Sequence, residues 1–412
     1  MRFALVNPDW NFSGSIYFGC REPHLPLEYG YAKALLERAG HEALIFEGTL
    51  GERVDIAVVT TAPSYLFWRC PPPELRIPRQ TVKELGGRAG AIVAVGPHAS
   101  TTPRAAIRKL GVDAAVLGEP EEVLPQLGGD WSAIPSFAWR DGADIRVQGA
   151  PHASDMKALP ALAWPAETIA RHRHHHHRFD AEPGAPGAEM EASRGCPYHC
   201  TFCAKENFRS AYRKRSLDAI LEELDGLLAR GVEYVYFIDE IFLPDRALLE
   251  AVAGRRVKFG VQTRIDLWNA EMIELLGRAG CVSIEAGVES ISEEGRALLD
   301  KKSRLSTPEF SERLILAKRY VPFVQANLLD AKVDDAAEIE AWREHLHRHG
   351  VWANKPVPLF PYPGSPDYTK LWGAADDFAW ERALEHYLRE NAEFSDIQDA
   401  RPLPIAQLES ES

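Results

Sequence analysis

Three shortages in the sequence narrow the possibilities before any motif is considered. No stretch approaches the ~18 apolar residues that a membrane helix needs, and the first apolar run stops at Asn7-Pro8-Asp9, too early for a signal peptide. A basic excess is also missing, because the formal net charge is −13. We expect a cytoplasmic protein with neither a membrane nor a nucleic acid as partner, since phosphate-binding surfaces normally leave a basic balance.

Cysteine is the third shortage, at 6 of 412 residues. This number is too small for a disulfide framework in a chain of this length. Cys196, Cys200 and Cys203 nevertheless lie close together in the sequence, which indicates a bound metal or cluster. The others are scattered, and we expect Cys281, at the start of a predicted strand, to lie in the core.

The first 150 residues alternate between short apolar runs and helical patterns. Strands rich in Val, Ile and Ala that are separated by helices predict an α/β fold with a parallel, doubly wound sheet over residues 1–150. The predicted strands are Phe3–Val6, Ala43–Phe46, Ile56–Val59, Ile92–Val95 and Ala114–Leu117, the predicted helices are Leu27–Ala39, Gln80–Gly87 and Arg104–Leu110, and a hairpin is expected at Ser136–Val147.

Turn-forming and polar residues follow most of these strands. In doubly wound sheets, ligands bind beyond the carboxyl ends of the strands. The residues at those ends form the predicted rim of a pocket: Asn7, Thr60, Thr61, Gly96, Pro97, His98, Gly118 and Glu119.

The second half shows another alternation of strands and helices. Residues 151–187 are rich in Pro, Gly and His and are interpreted as a linker, residues 188–372 as a partial (βα)6 barrel, and residues 373–412 as a helical extension. The predicted barrel strands are Ala188–Ala192, Tyr234–Ile238, Val257–Val261, Val282–Ala286, Phe323–Leu328 and Val351–Leu359.

Two basic segments leave their roles open. Residues 171–179 hold five histidines, which fit a solvated linker, a loop that binds an anionic substrate, or a second metal site. Tyr212-Arg213-Lys214-Arg215 fits either a charge-neutralising or substrate-binding group beside the cysteines or a solvated entry to the next helix.

The cysteine triplet favours an iron–sulfur cluster, because thiolates are the usual cluster ligands. A [4Fe–4S] cube bound by three thiolates keeps one iron open for a small-molecule ligand. A zinc site would need a fourth ligand, and the neighbouring His199 points away from Cys200 on most backbones. Buried structural cysteines are the third alternative.

The spacing Cys196-x-x-x-Cys200-x-x-Cys203 resembles the signature of the radical S-adenosylmethionine (radical SAM) superfamily, and the resemblance extends over the second half of the chain. By that resemblance Phe202 packs near the adenine, Asp239 and Glu240 lie near the nucleoside, and Arg264 reaches the methionine carboxylate. Glu289-Ser290, in Gly287-Val-Glu-Ser, is similar to a segment close to the cosubstrate. Phe360-Pro-Tyr-Pro-Gly-Ser-Pro366 resembles a run common in one large subgroup.

That subgroup carries an N-terminal Rossmann-like cobalamin-binding domain, which the first half resembles in several short motifs. Leu5-Val-Asn7-Pro8, Ala39-Gly40-His41, Gly96-Pro97-His98 and Gly118-Glu119-Pro120-Glu121 stand in the expected order. The resemblance implies that the rim residues bind cobalamin. The Asp-x-His-x-x-Gly motif, whose histidine binds cobalt from below in other cobalamin enzymes, is absent, so the lower ligand of cobalt is undefined.

Together the two resemblances imply an enzyme that cleaves S-adenosylmethionine reductively and, with cobalamin, methylates an unactivated position of a small biosynthetic metabolite. Such an enzyme needs an electron donor such as flavodoxin or ferredoxin. Oxidation, cyclisation or rearrangement with the same cofactors is the alternative within enzymes. A cluster- and cobalamin-binding sensor without turnover is the alternative of another class.

Overall fold

The computed structural model describes residues 1–10, 24–48, 50–64, 71–172, 186–207, 209, 211–390 and 404–410. The strands are β1 Arg2–Asn7, β2 Glu42–Glu47, β3 Val54–Thr60, β4 Ala89–Val95, β5 Ala114–Val116, β6 Phe137–Asp141, β7 Asp144–Gln148, β8 Gly187–Met190, β9 Ser193–Arg194, β10 Arg213–Lys214, β11 Tyr234–Phe237, β12 Lys258–Thr263, β13 Cys281–Glu289, β14 Phe323–Asp330, β15 Trp352–Ala353 and β16 Val357–Pro358. The helices are α1 Leu27–Arg38, α2 Arg76–Leu85, α3 Pro97–Thr101, α4 Pro103–Leu110, α5 Ala166–Arg171, α6 Leu217–Leu228, α7 Arg246–Ala253, α8 Ala270–Arg278, α9 Glu293–Leu298, α10 Thr307–Tyr320, α11 Ala336–Arg348, α12 Pro366–Trp372, α13 Ala379–Glu390 and α14 Ile405–Ser410.

The N-terminal sheet has the strand order β2-β1-β3-β4-β5-β6-β7. Strands β1 to β5 are parallel and strongly apolar, because helices cover both faces of such a sheet. The predicted hairpin is present as β6 and β7, and it extends the edge of the sheet antiparallel to β5. The doubly wound α/β prediction is confirmed, with this mixed edge as a refinement.

The second sheet has the order β15-β14-β13-β12-β11-β8 and is parallel throughout. Adjacent strands follow one another along the chain, which is the arrangement of a partial barrel. The predicted strand Val351–Leu359 is wrong as a single element. It is broken into β15 and β16, because Pro356 and Pro358 have no N–H to donate to a sheet.

Side chains alternate between the two faces of these barrel strands. The buried Val261 and Ile284 pack in the core that also contains side chains of the surrounding helices. The intervening Gln262 and Glu285 therefore face the lumen, in register with each other and with Gln325. The lumen is thus lined by polar groups at this level.

The connecting segment is more than a solvated linker where it is described. Met156, Leu159, Leu162 and Trp164 are buried and belong to the same core as the barrel. Gly30 of α1 lies against this segment, because a Cβ there would be 3.0 Å from Leu162 and Trp164. Residues 156–164 therefore act as packing between the two halves.

Helix α13, which follows the barrel, packs on both halves. Trp380 stacks on His98 with ring centroids 3.9 Å apart, and its Nε1 donates to Thr102 Oγ1 at 3.1 Å. On its other side α13 contributes to a cluster with Phe360 and Tyr362, which follow the last barrel strand. Within the described parts of the chain, no helix is long and apolar enough to cross a membrane.

Candidate functional site

The three clustered cysteines lie on one loop at the carboxyl end of the barrel sheet. The loop leaves the short antiparallel ribbon formed by β9 and β10. Gly195 begins it at φ +80°, where a Cβ would lie 2.1 Å from the carbonyl oxygen of Ala211, so only glycine fits. All three thiols are free and partly exposed, as access to a ligand requires.

The electrostatics around the thiols favour a cationic partner. Burial raises the pKa of Cys200 to about 11 and that of Cys203 to about 12, so these thiols need a bound cation to become thiolates. In the part of the chain that the structure describes, no three His, Cys, Asp or Glu side chains converge as ligands of a single ion. A cubane cluster does not need that convergence, because each thiolate binds a different iron.

Contacts with the C-terminal half fix the cysteine loop. The N–H of Thr201 donates to the Leu299 carbonyl at 3.1 Å, and the N–H of Asp367 donates to the Thr201 carbonyl at 2.9 Å. Thr201 Oγ1 also donates to Asp367 Oδ2 at 3.1 Å. Asp367 directly follows Pro366, so the predicted Phe360–Pro366 motif ends at the segment that holds this loop.

Asp239 and Glu240, which follow β11, bind the backbone on both sides of β9. Asp239 accepts hydrogen bonds from the Ala192 N–H at 2.9 Å and from the Ser193 hydroxyl, and its burial raises its pKa to about 7. Glu240 accepts from the Gly195 N–H at 2.7 Å. Both acids thus contact the backbone that leads into the cysteine loop, and their place near the nucleoside stays a prediction.

Arg264 lies directly after β12. Its guanidinium forms a bidentate pair with Asp266, at 3.2 and 2.7 Å, and lies 3.9 Å above the ring of Tyr198 in the cysteine loop. Its Nη1 is buried and has no hydrogen-bond partner among the described residues. A buried guanidinium nitrogen without an acceptor calls for an anionic ligand, because leaving it unpaired is costly. Gln262 Oε1, in the lumen, is a buried acceptor in the same situation.

Glu289 ends β13, and Ser290 follows it. Glu289 adopts φ +68°, a left-handed conformation that is unfavourable for a residue with a Cβ and often marks functional sites. Its carboxylate is held by the buried Lys301 Nζ at 2.6 Å. Ser290 is fully buried. Phe202, in the cysteine loop, is partly exposed.

The predicted rim of the N-terminal domain lies along one sheet edge, but several of its side chains are already engaged. Thr60 and Thr61 are buried and donate to the carbonyls of Ala62 and Val95. His98 is buried under Trp380, with Nε2 2.8 Å from the Pro72 carbonyl, and burial lowers its pKa to about 3. Their interpretation as side-chain ligands is not supported by these contacts, because both hydroxyls and His98 Nε2 already have partners.

The remaining rim residues differ in accessibility. Asn7 is half-buried at the end of β1. Gly96 caps α3 and Pro97 begins it. The N–H of Gly118 already donates to Ser100 Oγ at 2.9 Å. A Cβ on Gly118 would lie 2.3 Å from the His152 carbonyl oxygen, so this glycine is required for backbone packing.

Glu119 is the clearest correction among the rim residues. Its side chain is fully buried and pairs with Arg213 at 2.6 Å and Arg209 at 3.2 Å. Although burial opposes ionisation, the surrounding guanidinium groups hold the pKa of Glu119 at about 2. It therefore joins the N-terminal domain to the barrel, and its side chain is not a free rim group.

The three basic residues of the segment 212–215 each pair with a different carboxylate. Arg213 pairs with Glu119, Lys214 with Asp245 at 2.7 Å, and the buried Arg215 with Glu223 at 2.8 Å. Neither of its predicted roles describes it fully, since two of its arginines are structural ion-pair partners. Sequence reasoning missed Arg194 and Arg209, which flank the cysteines and also pair with Glu119. Their only sequence signal is a position close to the triplet.

The histidine-rich segment lies outside the described residues from position 173 onward. The described His172 is buried, with Nε2 2.7 Å from Glu189 Oε2 on β8. This histidine lies against the first barrel strand and not in solvent. Cys281 is 2 % exposed, which confirms its predicted place in the core.

Comparison with known families and proteins agrees with this geometry. The sequence model of the Radical SAM superfamily matches residues 190–329. An uncharacterised methyltransferase of Pyrococcus horikoshii is 22% identical over 299 residues, covering 68% of this chain and 62% of that protein. The anaerobic magnesium-protoporphyrin IX monomethyl ester cyclase of Cereibacter sphaeroides is 24% identical, covering 93% of this chain and 65% of that protein. The chain thus spans less than two thirds of these relatives.

The fold also matches a solved structure. The radical S-adenosylmethionine methyltransferase TsrM from Kitasatospora setae, determined with cobalamin and a [4Fe–4S] cluster bound, superposes with a TM-score of 0.69. The match covers 89% of this chain and 76% of TsrM at 16% identity. The likeness therefore includes both halves of the chain and extends beyond the barrel alone.

Proposed function

Because residues 190–329 belong to the radical SAM superfamily, we propose that this chain is a cobalamin-dependent radical SAM methyltransferase. Its substrate is a small polar metabolite, and the position methylated is an unactivated carbon. The observation that carries the proposal is that three accessible cysteines share one loop with Tyr198, which contacts Arg264. A buried nitrogen of Arg264 has no hydrogen-bond partner among the described residues.

The residues of the barrel fit the first two cofactors. Cys196, Cys200 and Cys203 would hold the [4Fe–4S] cluster, and Arg264 Nη1 would bind the methionine carboxylate of S-adenosylmethionine. The cluster supplies the electron for reductive cleavage of this cosubstrate. Tyr198 and Asp266 keep the Arg264 guanidinium in one plane, so that its free nitrogen is already oriented before the ligand arrives.

In this proposal the N-terminal domain holds cobalamin at the carboxyl edge of its sheet. Asn7 is partly exposed there, and Glu28 contributes a further polar group. One carboxylate oxygen of Glu28 accepts from Ser64 Oγ at 2.5 Å, while Oε1 is buried without a partner among the described residues. A free acceptor beside this edge suits the amide side chains of a corrin ring. Gly96 and Pro97 would contact it through the backbone.

The lumen supports a polar substrate. Barrels of this type usually fill their lumen with branched apolar residues, whereas this chain places Gln262, Glu285 and Gln325 in register there. The buried acceptor Gln262 Oε1 is suited to a substrate that donates hydrogen bonds. The remaining parts of the proposal are a cytoplasmic location and electron delivery by a protein such as flavodoxin or ferredoxin.

The test uses the full chain, purified without oxygen and reconstituted with iron, sulfide and hydroxocobalamin. We expect iron–sulfur and corrin absorption in one protein, and formation of deoxyadenosine when dithionite and S-adenosylmethionine are added. Absence of deoxyadenosine from a protein that retains its cluster would rule out the proposed function.

Mass analysis of the product separates methylation from its rival. A methylated product is heavier than its substrate by one methylene group, whereas cyclisation or oxidation removes hydrogen. The product mass should be measured first, because the cyclase relative aligns with 93% of this chain.

A further inference from the structure

A buried group of charged side chains joins the two halves of the molecule. It has two carboxylates from the N-terminal domain, two from the ends of barrel strands, and three arginines that flank the cysteines. We call it the interdomain ion cluster: Glu119, Glu121, Glu191, Glu240, Arg194, Arg209 and Arg213. Apart from Arg213, which is 20% exposed, its side chains are at most 7% exposed.

Glu119 is the centre of this cluster. Its oxygens lie 2.6 Å from Arg213 Nη2, 3.2 Å from Arg209 Nε and 3.4 Å from Arg194 Nη1. Oε2 also accepts from the Ser154 N–H at 2.7 Å. One carboxylate at the end of β5 therefore contacts three arginines of the barrel half.

Arg209 extends the connection to the cysteine loop. Its Nη1 lies 3.3 Å from Glu191 and 2.5 Å from Glu240. Glu240 in turn accepts from the N–H of Gly195, which directly precedes Cys196. A continuous path of ion pairs and hydrogen bonds thus runs from the N-terminal sheet to the first cysteine.

Such a cluster is poorly explained as a source of stability. Removing several charges from water costs about as much as their attraction returns, and apolar replacements are often as stable. Arginine–carboxylate pairs instead fix orientation, because the planar guanidinium bonds in few directions. Arg194 shows this in its contacts with Glu191, at 2.9 Å, and Glu121, at 2.6 Å.

We propose that Glu119 and Arg209 are positioning residues that hold the cysteine loop at one fixed distance from the carboxyl edge of the N-terminal sheet. The proposal rests on the proposed function in one respect: the groups held at that distance are the [4Fe–4S] cluster and cobalamin. The geometric claim itself concerns only the loop and the sheet.

The test measures that separation directly. The reduced cluster and cob(II)alamin are both paramagnetic, so their dipolar coupling in pulsed electron paramagnetic resonance reports the distance between them. We expect one narrow distance in the wild type and a broadened one in Glu119→Gln and Arg209→Lys. Arg108→Gln is the matched control, since Arg108 also pairs between domains, with Asp377, but is 55% exposed.

A second measurement needs no cofactor. Amide hydrogen exchange of residues 195–201 in the metal-free full chain should accelerate about tenfold or more in Glu119→Gln, because a charge-assisted hydrogen bond holds that loop. Arg108→Gln should leave it unchanged. If Glu119→Gln does not fold, Arg213→Gln is used instead, because Arg213 is less buried. We then expect a smaller acceleration of the same amide exchange.

The outcomes keep the two proposals apart. A wild-type protein that binds no cofactor but shows the expected exchange difference contradicts the proposed function and supports the positioning role. Unchanged exchange and an unchanged distance in Glu119→Gln and Arg209→Lys overturn the positioning role, whatever the activity of the wild type.

Discussion

The two halves of this chain carry their motifs in different ways. In the barrel half, the predicted cysteines have accessible thiols, and Arg264 has a guanidinium nitrogen with no partner among the described residues. In the N-terminal half, the predicted Thr61, His98 and Glu119 have their polar atoms occupied by the protein itself. Both sets lie at the carboxyl ends of parallel strands, where ligands bind in such folds.

This difference distinguishes residues that bind a ligand from residues that stabilise the fold. A side chain that serves a ligand remains incompletely satisfied by the protein, because its partner arrives later. A side chain that serves packing finds its partner within the chain, since buried polar groups are normally hydrogen-bonded. Position at a strand end alone does not distinguish the two.

Removal of a cysteine from the loop should have the largest effect, because it tests whether the barrel half binds its ligand through these thiols. We expect Cys200→Ala to abolish both the iron–sulfur absorption and deoxyadenosine formation, because three thiolates are the minimum set on this loop. Iron content and the visible spectrum are the measurements. Cys281→Ala, a change in the core, is the control and should keep the cluster; retention of the cluster by Cys200→Ala would contradict the assignment.

Loss of the Arg264 side chain should have the next largest effect. Arg264→Gln removes a charged donor that is worth about 1.5–3 kcal/mol when paired, so the Kd for S-adenosylmethionine should rise about 10- to 100-fold. Equilibrium dialysis with the reconstituted protein measures it. Arg255→Gln, in an exposed pair with Asp225, should bind as the wild type does, and an equal Kd in both variants would exclude Arg264 as a ligand.

The smallest effect is expected at His98, as a pH dependence of stability. Burial lowers the pKa of His98 to about 3 from 6.5, so the unfolded chain binds this proton first as the pH falls. Stability contributed by the neutral ring is therefore present above pH 6.5 and is lost toward pH 3, by about 1.4 kcal/mol for each pH unit.

Urea unfolding at pH 7.5 and pH 5.5 measures this loss. His98→Phe keeps an aromatic ring against Trp380 without a titrating group, and it should lose less stability between the two pH values than the wild type. An identical loss in both proteins would show that His98 does not contribute.

The α/β architecture and the alternation of strands with helices were predictable from the sequence, because apolar periodicity determines these features. The proximity of Cys196, Cys200 and Cys203 on one loop was also predictable, since they are close in sequence; their role as cluster ligands stays a prediction. The ion pairs of Arg194 and Arg209 with Glu119 were not predictable, because Glu119 lies in the N-terminal domain, far away in sequence. An arginine that pairs across domains has no local pattern.

The hydrogen bond from Trp380 to Thr102 has a consequence for how the chain is made. These residues are 278 positions apart, so the first domain is synthesised long before its final neighbour exists. Synthesis proceeds at about 5–20 residues per second, so α13 is made on the order of tens of seconds after this part of the first domain. During that time the apolar surface around His98 is not covered by α13. Newly made chains should therefore depend on chaperones during that interval, and early truncation should yield insoluble protein.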